Sequence, residues 1–353
     1  MIIKMKRQAT PEQIEEVKQR LYELGPYEIG DIVGTERVVI GVKGDVTALP
    51  EDQIRELSGV EEVILISKKY KRASLEYRTQ LNHGSLYSRV DVGGVTIGGD
   101  ELVVIAGPCV VESQEQILTT AKYVKDAGAQ LLRGGAFKPR TSPYSFDGLK
   151  EEGLRYLQVA RKEIGLPVVT EIMSERQIDL FEKYEVDCYQ VGSRNGRNQE
   201  LLNALRSVSK PVLLKREMGT PVEEYLLYAE RLMVDGKENV ILCERGITTF
   251  ETFTRNTLDL NAVAAMKRML THLPVLVDPS HSTGMRELVP LASFAGVAAG
   301  ADGLLIETHP DPRYAKCDGP QALLKEELHL TIQKCREIYA LVRTSGFVSP
   351  ALH

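Results

Sequence analysis

The chain has 353 residues, of which 43% are hydrophobic and 26% charged, with a formal net charge of -5. At about 100 to 200 residues per domain, that length implies two domains or one large domain with an extension, and it excludes a small disulfide-stapled scaffold. The apolar content suffices for a buried core, and the acidic balance disfavours an electrostatic grip on nucleic acid or an anionic membrane, so small molecules are the expected partners.

The first seventy residues read as one alternating unit. Ile2–Met5 is a strand candidate, followed by Thr10 as N-cap, Pro11 at the first helical position and Gln13 completing a capping box. Ile14, Val17, Leu21 and Leu24 recur at helical spacing until Gly25 stops the run. Tyr27–Val33 and Arg37–Val42 read as a hairpin across Gly34-Thr35, Asp52–Leu57 as a second helix and Val60–Ile66 as a last strand. The order βαββαβ is ferredoxin-like.

Residues 71–100 read as a linker of mixed polarity ending in an alternating hairpin, Val90 to Ile97, placed to plug the N-terminal end of a barrel. From Leu102 the rhythm changes. Short apolar runs alternate with helix-length amphipathic segments: Leu102–Ala106, Leu131–Arg133, Val168–Thr170, Tyr189–Val191, Val212–Leu214, Val240–Leu242, Val275–Val277 and Leu304–Ile306. Eight such runs over about 250 residues predict an α/β fold of the (β/α)8 TIM-barrel class across 101–343, with a tail at 344–353. The longest apolar runs fall far short of the roughly 20 residues of a membrane span, and Met1–Arg7 lacks the layout of a signal peptide. Five scattered cysteines without a C-x-x-C pair fit a reducing compartment, so the expected location is the cytoplasm.

In a barrel of this kind chemistry sits where strands end and βα loops begin. The residues there are polar and mostly basic: Arg133, Lys138, Arg140, Arg194, Lys215 and Arg245. Any one of them could simply pair with a neighbouring carboxylate, but six at one mouth repel each other unless an anion compensates them, which predicts multiply anionic ligands. After the first, seventh and eighth strands stand Cys109, His281, Glu307 and Asp318. Singly each has an ordinary packing or surface explanation; jointly they read as a metal site, and a mixed S/N/O set suits a divalent ion of the Mn, Fe, Co or Zn class better than Mg²⁺ or Ca²⁺. Cys188, Cys243 and Cys335 read as packing, and Cys317, next to Asp318, is left open.

The segments Ala106–Cys109, Leu132–Tyr144, Leu213–Arg216, Leu242–Gly246, Val277–His281 and Glu307–Pro310 resemble 3-deoxy-D-arabino-heptulosonate 7-phosphate (DAHP) synthase, within it the type Iβ branch, and residues 1–70 are similar to the ferredoxin-like (ACT-like) regulatory domain some members carry. The resemblance implies a metal-dependent condensation of phosphoenolpyruvate with erythrose 4-phosphate at the entry to the shikimate pathway of aromatic amino acid biosynthesis. Carried over motif by motif, it implies Cys109, His281, Glu307 and Asp318 as metal ligands, Arg133 and Lys138 on the phosphoenolpyruvate carboxylate, and Arg194, Lys215 and Arg245 on its phosphate. Arg140 and Thr141 would bind erythrose 4-phosphate, Asp278 would lie near its hydroxyls, and Lys138 would donate a proton. It further implies tyrosine or phenylalanine as effector and a homotetramer or homodimer. The rival enzyme reading is octulosonate 8-phosphate synthase, which usually carries Lys-Ala-Asn-Arg where this chain has Lys138-Pro139-Arg140-Thr141; the rival of another class is a non-catalytic metabolite sensor.

Overall fold

A computed structural model describes residues 1–33, 38–44, 46, 49–64, 68–80, 85–140, 142 and 144–345. The chain divides into two compact units, Met1–Lys71 and Arg72–His353. Among the described residues, no helix is long and apolar enough to cross a membrane.

The first unit runs β1 (Ile2–Met5), α1 (Pro11–Leu24), β2 (Glu28–Val33), β3 (Val38–Lys43), α2 (Glu51–Arg55) and β4 (Val60–Ile64). Its sheet has the order β2-β3-β1-β4, with antiparallel pairing throughout. The expected capping box is formed: Thr10 accepts from the Gln13 N–H while the Gln13 side chain accepts from the Thr10 N–H. Alternation along β1 puts Ile3 and Met5 on the inner face, where Val17 and Leu21 of α1, one helical turn apart, meet them together with Ile40 and Ile54. The hairpin turn at Gly34-Thr35 and the end of the last strand, expected to reach Ile66, lie outside the described residues.

The second unit opens with α3 (Leu75–Gln80) and a hairpin, β5 (Val90–Val92) and β6 (Val95–Ile97). The strands β7 (Val103–Gly107), β8 (Leu131–Arg133), β9 (Val168–Ile172), β10 (Cys188–Val191), β11 (Val212–Lys215), β12 (Val240–Glu244), β13 (Val275–Val277) and β14 (Gly303–Glu307) follow. Each pairs in parallel with the next, and β14 pairs with β7 to close the barrel. Between them lie α4 (Gln114–Asp126), α5 (Glu151–Ile164), α6 (Ile178–Lys183), α7 (Gln199–Ala204), α8 (Val222–Met233), α9 (Leu260–Ala265), α10 (Pro279–Thr283) and α11 (Val289–Ala298), with α12 (Lys325–Thr344) last. Every strand of the barrel is buried along its whole length, as in a parallel sheet covered on both faces.

Val90, Val92 and Ile97 of the hairpin join Val103, Ile105, Leu131, Leu213 and Leu276 in one apolar cluster inside the barrel. The glycines of the hairpin mark its position: Gly93 abuts Pro167 and Gly98 abuts Pro274, each one residue before a barrel strand begins. The rest of the 71–100 segment departs from the linker expectation. The Arg72 and Ala73 N–H groups donate to Glu230 (3.0 and 2.8 Å), His272 Nε2 meets the Arg72 carbonyl at 2.6 Å, and the Ser88 N–H donates to the His272 carbonyl at 2.9 Å. Mixed polarity here reflects backbone groups that the barrel satisfies, so from Arg72 onward the segment is part of the barrel unit.

Candidate active site

The C-terminal ends of the strands surround a cavity of about 520 Å³. Two close approaches shape its walls. A Cβ at Gly107 would stand 1.9 Å from the Arg133 carbonyl oxygen, so glycine alone lets the end of β7 cross that of β8 and set Cys109 beside Arg133. A Cβ at Gly192 would stand 1.8 Å from Glu171 Oε1; the bare backbone after β10 leaves room for that carboxylate.

Arg133, Lys138, Arg140, Arg194, Lys215 and Arg245 all line the cavity, as their common position after strands predicts. Each is fixed by local bonds. Arg133 Nη1 donates to Glu307 Oε1 at 2.6 Å, and its Nη2 to the Cys109 carbonyl at 3.4 Å. Lys138 Nζ is 3.5 Å from Glu171 Oε2; burial alone would lower its ammonium, but Cys109 and Glu171 turn the net shift upward. Arg140 Nε donates to the Phe146 carbonyl at 2.9 Å, and Arg194 Nη1 to the Pro139 carbonyl at 2.8 Å, tying two loops together. Arg245 holds Asn256 Oδ1 at 2.5 Å and the His281 carbonyl at 3.0 Å, while its buried Nε has no partner. Thr141 lies outside the described residues.

Asp278 is placed differently from the expectation. It is fully buried and does not line the cavity, because its carboxylate is taken up by Lys215 Nζ, by the His281 N–H at 2.8 Å and by His281 Nδ1 at 2.8 Å. Burial works against its charge, yet His281 and Lys215 hold its carboxyl well below the usual carboxylate range. Asp278 therefore ties Lys215 to the imidazole through one carboxylate. An ionised Asp278 requires the proton on Nδ1, which leaves the Nε2 lone pair pointing outward. Burial first of all lowers the imidazolium, against Asp278 and Glu307, favouring this neutral ring.

His281 Nε2 stands 3.3 Å from Glu307 Oε1 and 3.8 Å from Asp318 Oδ2. Cys109 Sγ lies 3.2 Å from the same Asp318 oxygen. The four expected donors are thus gathered from β7, β13 and β14 and from the loop after β14. Among the described residues, two triads of donor atoms fall within 4.8 Å, His281/Glu307/Asp318 and Cys109/Cys317/Asp318. An imidazole lone pair, two carboxylates and sulfur gathered around the shared Asp318 are a donor set that suits a divalent cation, so the residues present fit a metal. Burial opposes the Glu307 charge, while His281 and Arg133 lower its carboxyl, and Gln321 Nε2 donates to its Oε2.

Several contributors escaped the sequence reading. Arg255, inside the long loop after β12 rather than at a strand end, lines the cavity and pairs with Asp318 Oδ1 at 3.0 Å. Gln190, Asn256, Met218 and Thr248 also line it. The residue after Arg245 in the Glu-Arg-Gly motif was a usable cue for the loop turning back, but nothing local marks Arg255. Arg216 and His309 also follow strands but do not line the cavity: Arg216 is buried against Glu244 (2.8 Å) and Asp259 (3.0 Å), and His309 lies toward Glu112 (3.5 Å).

Residues 73–342 match the DAHP synthetase I family, and residues 1–68 match the DAHP synthase ferredoxin-like domain. A phospho-2-dehydro-3-deoxyheptonate aldolase of Thermotoga maritima is 43% identical over 338 residues, covering 96% of this chain and 97% of that protein. A 2-dehydro-3-deoxyphosphooctonate aldolase of Syntrophobacter fumaroxidans is 32% identical over 271 residues, covering 72% of this chain and 92% of that protein. The crystal structure of the Thermotoga maritima DAHP synthase superposes with a TM-score of 0.85 at 42% identity and covers 98% of each chain; its truncated form gives 0.69 and covers 78% of this chain and 98% of its own. Barrel, strand-end motifs and N-terminal sheet agree, and the chain belongs to the DAHP synthetase I family, with a DAHP synthase ferredoxin-like domain ahead of the barrel.

Proposed function

We infer that this protein is a DAHP synthase that condenses phosphoenolpyruvate with erythrose 4-phosphate and releases phosphate. The observation that carries this reading is the ring of six cations around a cavity that has the S/N/O donor cluster beside it, in a chain of this family. Arg133 and Lys138 take the phosphoenolpyruvate carboxylate, and Arg194, Lys215 and Arg245 its phosphate; the unpartnered Arg245 Nε is a donor available to an anion. Arg140, with Thr141 beside it in sequence, takes the sugar phosphate, which sets how deeply the aldehyde reaches. Cys109, His281, Glu307 and Asp318 would hold a divalent ion, which when bound supplies Lewis acidity toward an aldehyde oxygen.

The chain's own groups account for the proton traffic. Attack of the enol carbon on the aldehyde carbon leaves an alkoxide, which Lys138, its ammonium favoured by Cys109 and Glu171, protonates. The attack also leaves C2 of the former enol electron-poor. Glu171, a cavity-lining carboxylate, accepts the proton of the water that adds there, after which the phosphate leaves from the hemiketal. A coupled assay of phosphate release with erythrose 4-phosphate and with arabinose 5-phosphate tests the reading. Release with the four-carbon sugar supports it, equal or better kcat/KM with the pentose favours the octulosonate reading, and no release with either leaves a sensor.

We further propose that residues 1–70 serve regulation by tyrosine or phenylalanine. What supports this is that every group of the site lies beyond residue 100, while the ferredoxin-like unit has its own apolar core.

A further inference from the structure

We propose that Gln190 holds the water that adds at C2 of the former enol, working as a pair with Glu171. The inference rests on the DAHP synthase reading of this site and deepens its hydration step.

Alternation along the barrel strands places the side chain. Leu131, Val169, Cys188 and Leu213, on four consecutive strands, belong to the apolar cluster inside the barrel. Two positions on from each, Arg133, Glu171, Gln190 and Lys215 share the interior side, one layer nearer the mouth. Three of these four are charged and already paired: Arg133 with Glu307 at 2.6 Å, Glu171 with Lys138 at 3.5 Å, and Lys215 with Asp278. Gln190 is the uncharged member. It is 4% exposed and lines the cavity, yet among the described residues its amide has no hydrogen-bond partner. Buried polar side chains are ordinarily satisfied, and an amide left bare at a cavity wall is set for a molecule inside the cavity. Packing alone does not call for a carboxamide at this position. Gln190 is also the register partner of Glu171 across β9 and β10, and neighbouring strands run about 5 Å apart, so one water can reach both side chains.

The amide suits the step. As the water attacks, one of its O–H bonds breaks, the proton goes to Glu171, and an oxygen lone pair forms the bond to the electron-poor C2. The second O–H needs an acceptor that leaves that lone pair free, which an amide carbonyl provides. A lysine or arginine here would donate to the water oxygen and occupy the lone pair, and a second carboxylate would repel the anionic substrate. The hemiketal then collapses: its C2–O bond to the phosphate breaks, and its hydroxyl proton leaves with that phosphate.

Steady-state kinetics of the full chain with phosphoenolpyruvate and erythrose 4-phosphate, in ordinary and in heavy water, test this. Gln190→Met is similar in length and lacks the amide; it should lower kcat about tenfold or more, with the KM for phosphoenolpyruvate within about twofold. Its solvent isotope effect on kcat should exceed that of the unmutated protein, because water addition becomes the slow step. Gln190→Asn keeps the amide on a shorter arm and should recover part of kcat; if Gln190→Met does not fold, Gln190→Asn decides by the same isotope comparison. A raised KM at unchanged kcat makes Gln190 a ground-state contact and overturns the proposal. An equal loss in both variants with an unchanged isotope effect marks a packing role and also overturns it. An unmutated protein that releases no phosphate with either sugar removes the underlying DAHP synthase reading, whereas turnover indifferent to Gln190 removes this proposal alone.

Discussion

At the residue scale, the site is built from groups that hold one another in place. Asp278 is the clearest case: it faces no cavity, yet it pins Lys215 and the tautomer of His281. Asp278→Asn should weaken metal binding about 10- to 100-fold, the usual cost of losing a carboxylate behind a ligating imidazole, as read by chelator competition. Cys109→Ser should lose most bound metal and nearly all turnover, and full activity of an EDTA-treated, metal-free preparation would show that no such ion is needed. Arg140→Ala should raise the KM for erythrose 4-phosphate about tenfold or more, matching about 1.5–3 kcal/mol for a hydrogen bond to a charged group, with phosphoenolpyruvate binding retained. The strand-end cations were legible because each closes an apolar run or stands in the loop that follows one. Arg255 and Gln321 were not, since each reaches its partner from within a loop whose path no local pattern announces.

At the element scale, the barrel depends on close strand ends and a filled bottom. Gly107→Ala forces a carbon into the Arg133 carbonyl where β7 meets β8, and it should cost about 3 kcal/mol or more or leave the protein insoluble, as denaturant unfolding would record. Ile97→Ala empties a fully buried side chain of the β5–β6 hairpin, so a loss of about 2–5 kcal/mol is expected with kcat nearly unchanged, because the reacting groups sit at the opposite ends of the strands. A parallel fall in kcat would mean that the hairpin also shapes the mouth.

At the scale of the whole molecule, the boundary near Lys71 determines how the chain can be cut. A chain beginning at Arg72 keeps the backbone bonds to Glu230 and His272; one beginning at Ser85 loses them and should melt several degrees lower. Both should turn over substrate without response to tyrosine or phenylalanine, and inhibition equal to that of the full chain would place the effector site in the barrel. Stability also carries a pH signature. Lys237 donates to the Val208 and Lys210 carbonyls at 2.5 and 2.8 Å, and burial lowers its ammonium to about 8. Its folded value lies below the unfolded one of about 10.4, so between those limits the unfolded chain binds more protons and stability rises with pH. Relative to Lys237→Met, the unmutated protein should gain up to about 3 kcal/mol from pH 8 to pH 10.5.

The sequence by itself determined the parts that depend on neighbours in the chain. The capping box of α1, the eight apolar runs and the basic residues closing them all follow from spacing over a few positions, and with them the barrel and the cationic mouth. The gathering of Cys109, His281, Glu307 and Asp318 was legible too, because strand order in a closed barrel makes the first and eighth strands neighbours. Only the tertiary structure decided the contacts between distant segments: Cys109 meets Cys317 across 208 positions, and Arg255 meets Asp318 across 63. Whether Asp278 faces substrate or core was likewise open, since residue type names the chemistry a side chain can do, while its direction depends on which partners the closed barrel brings within bonding distance.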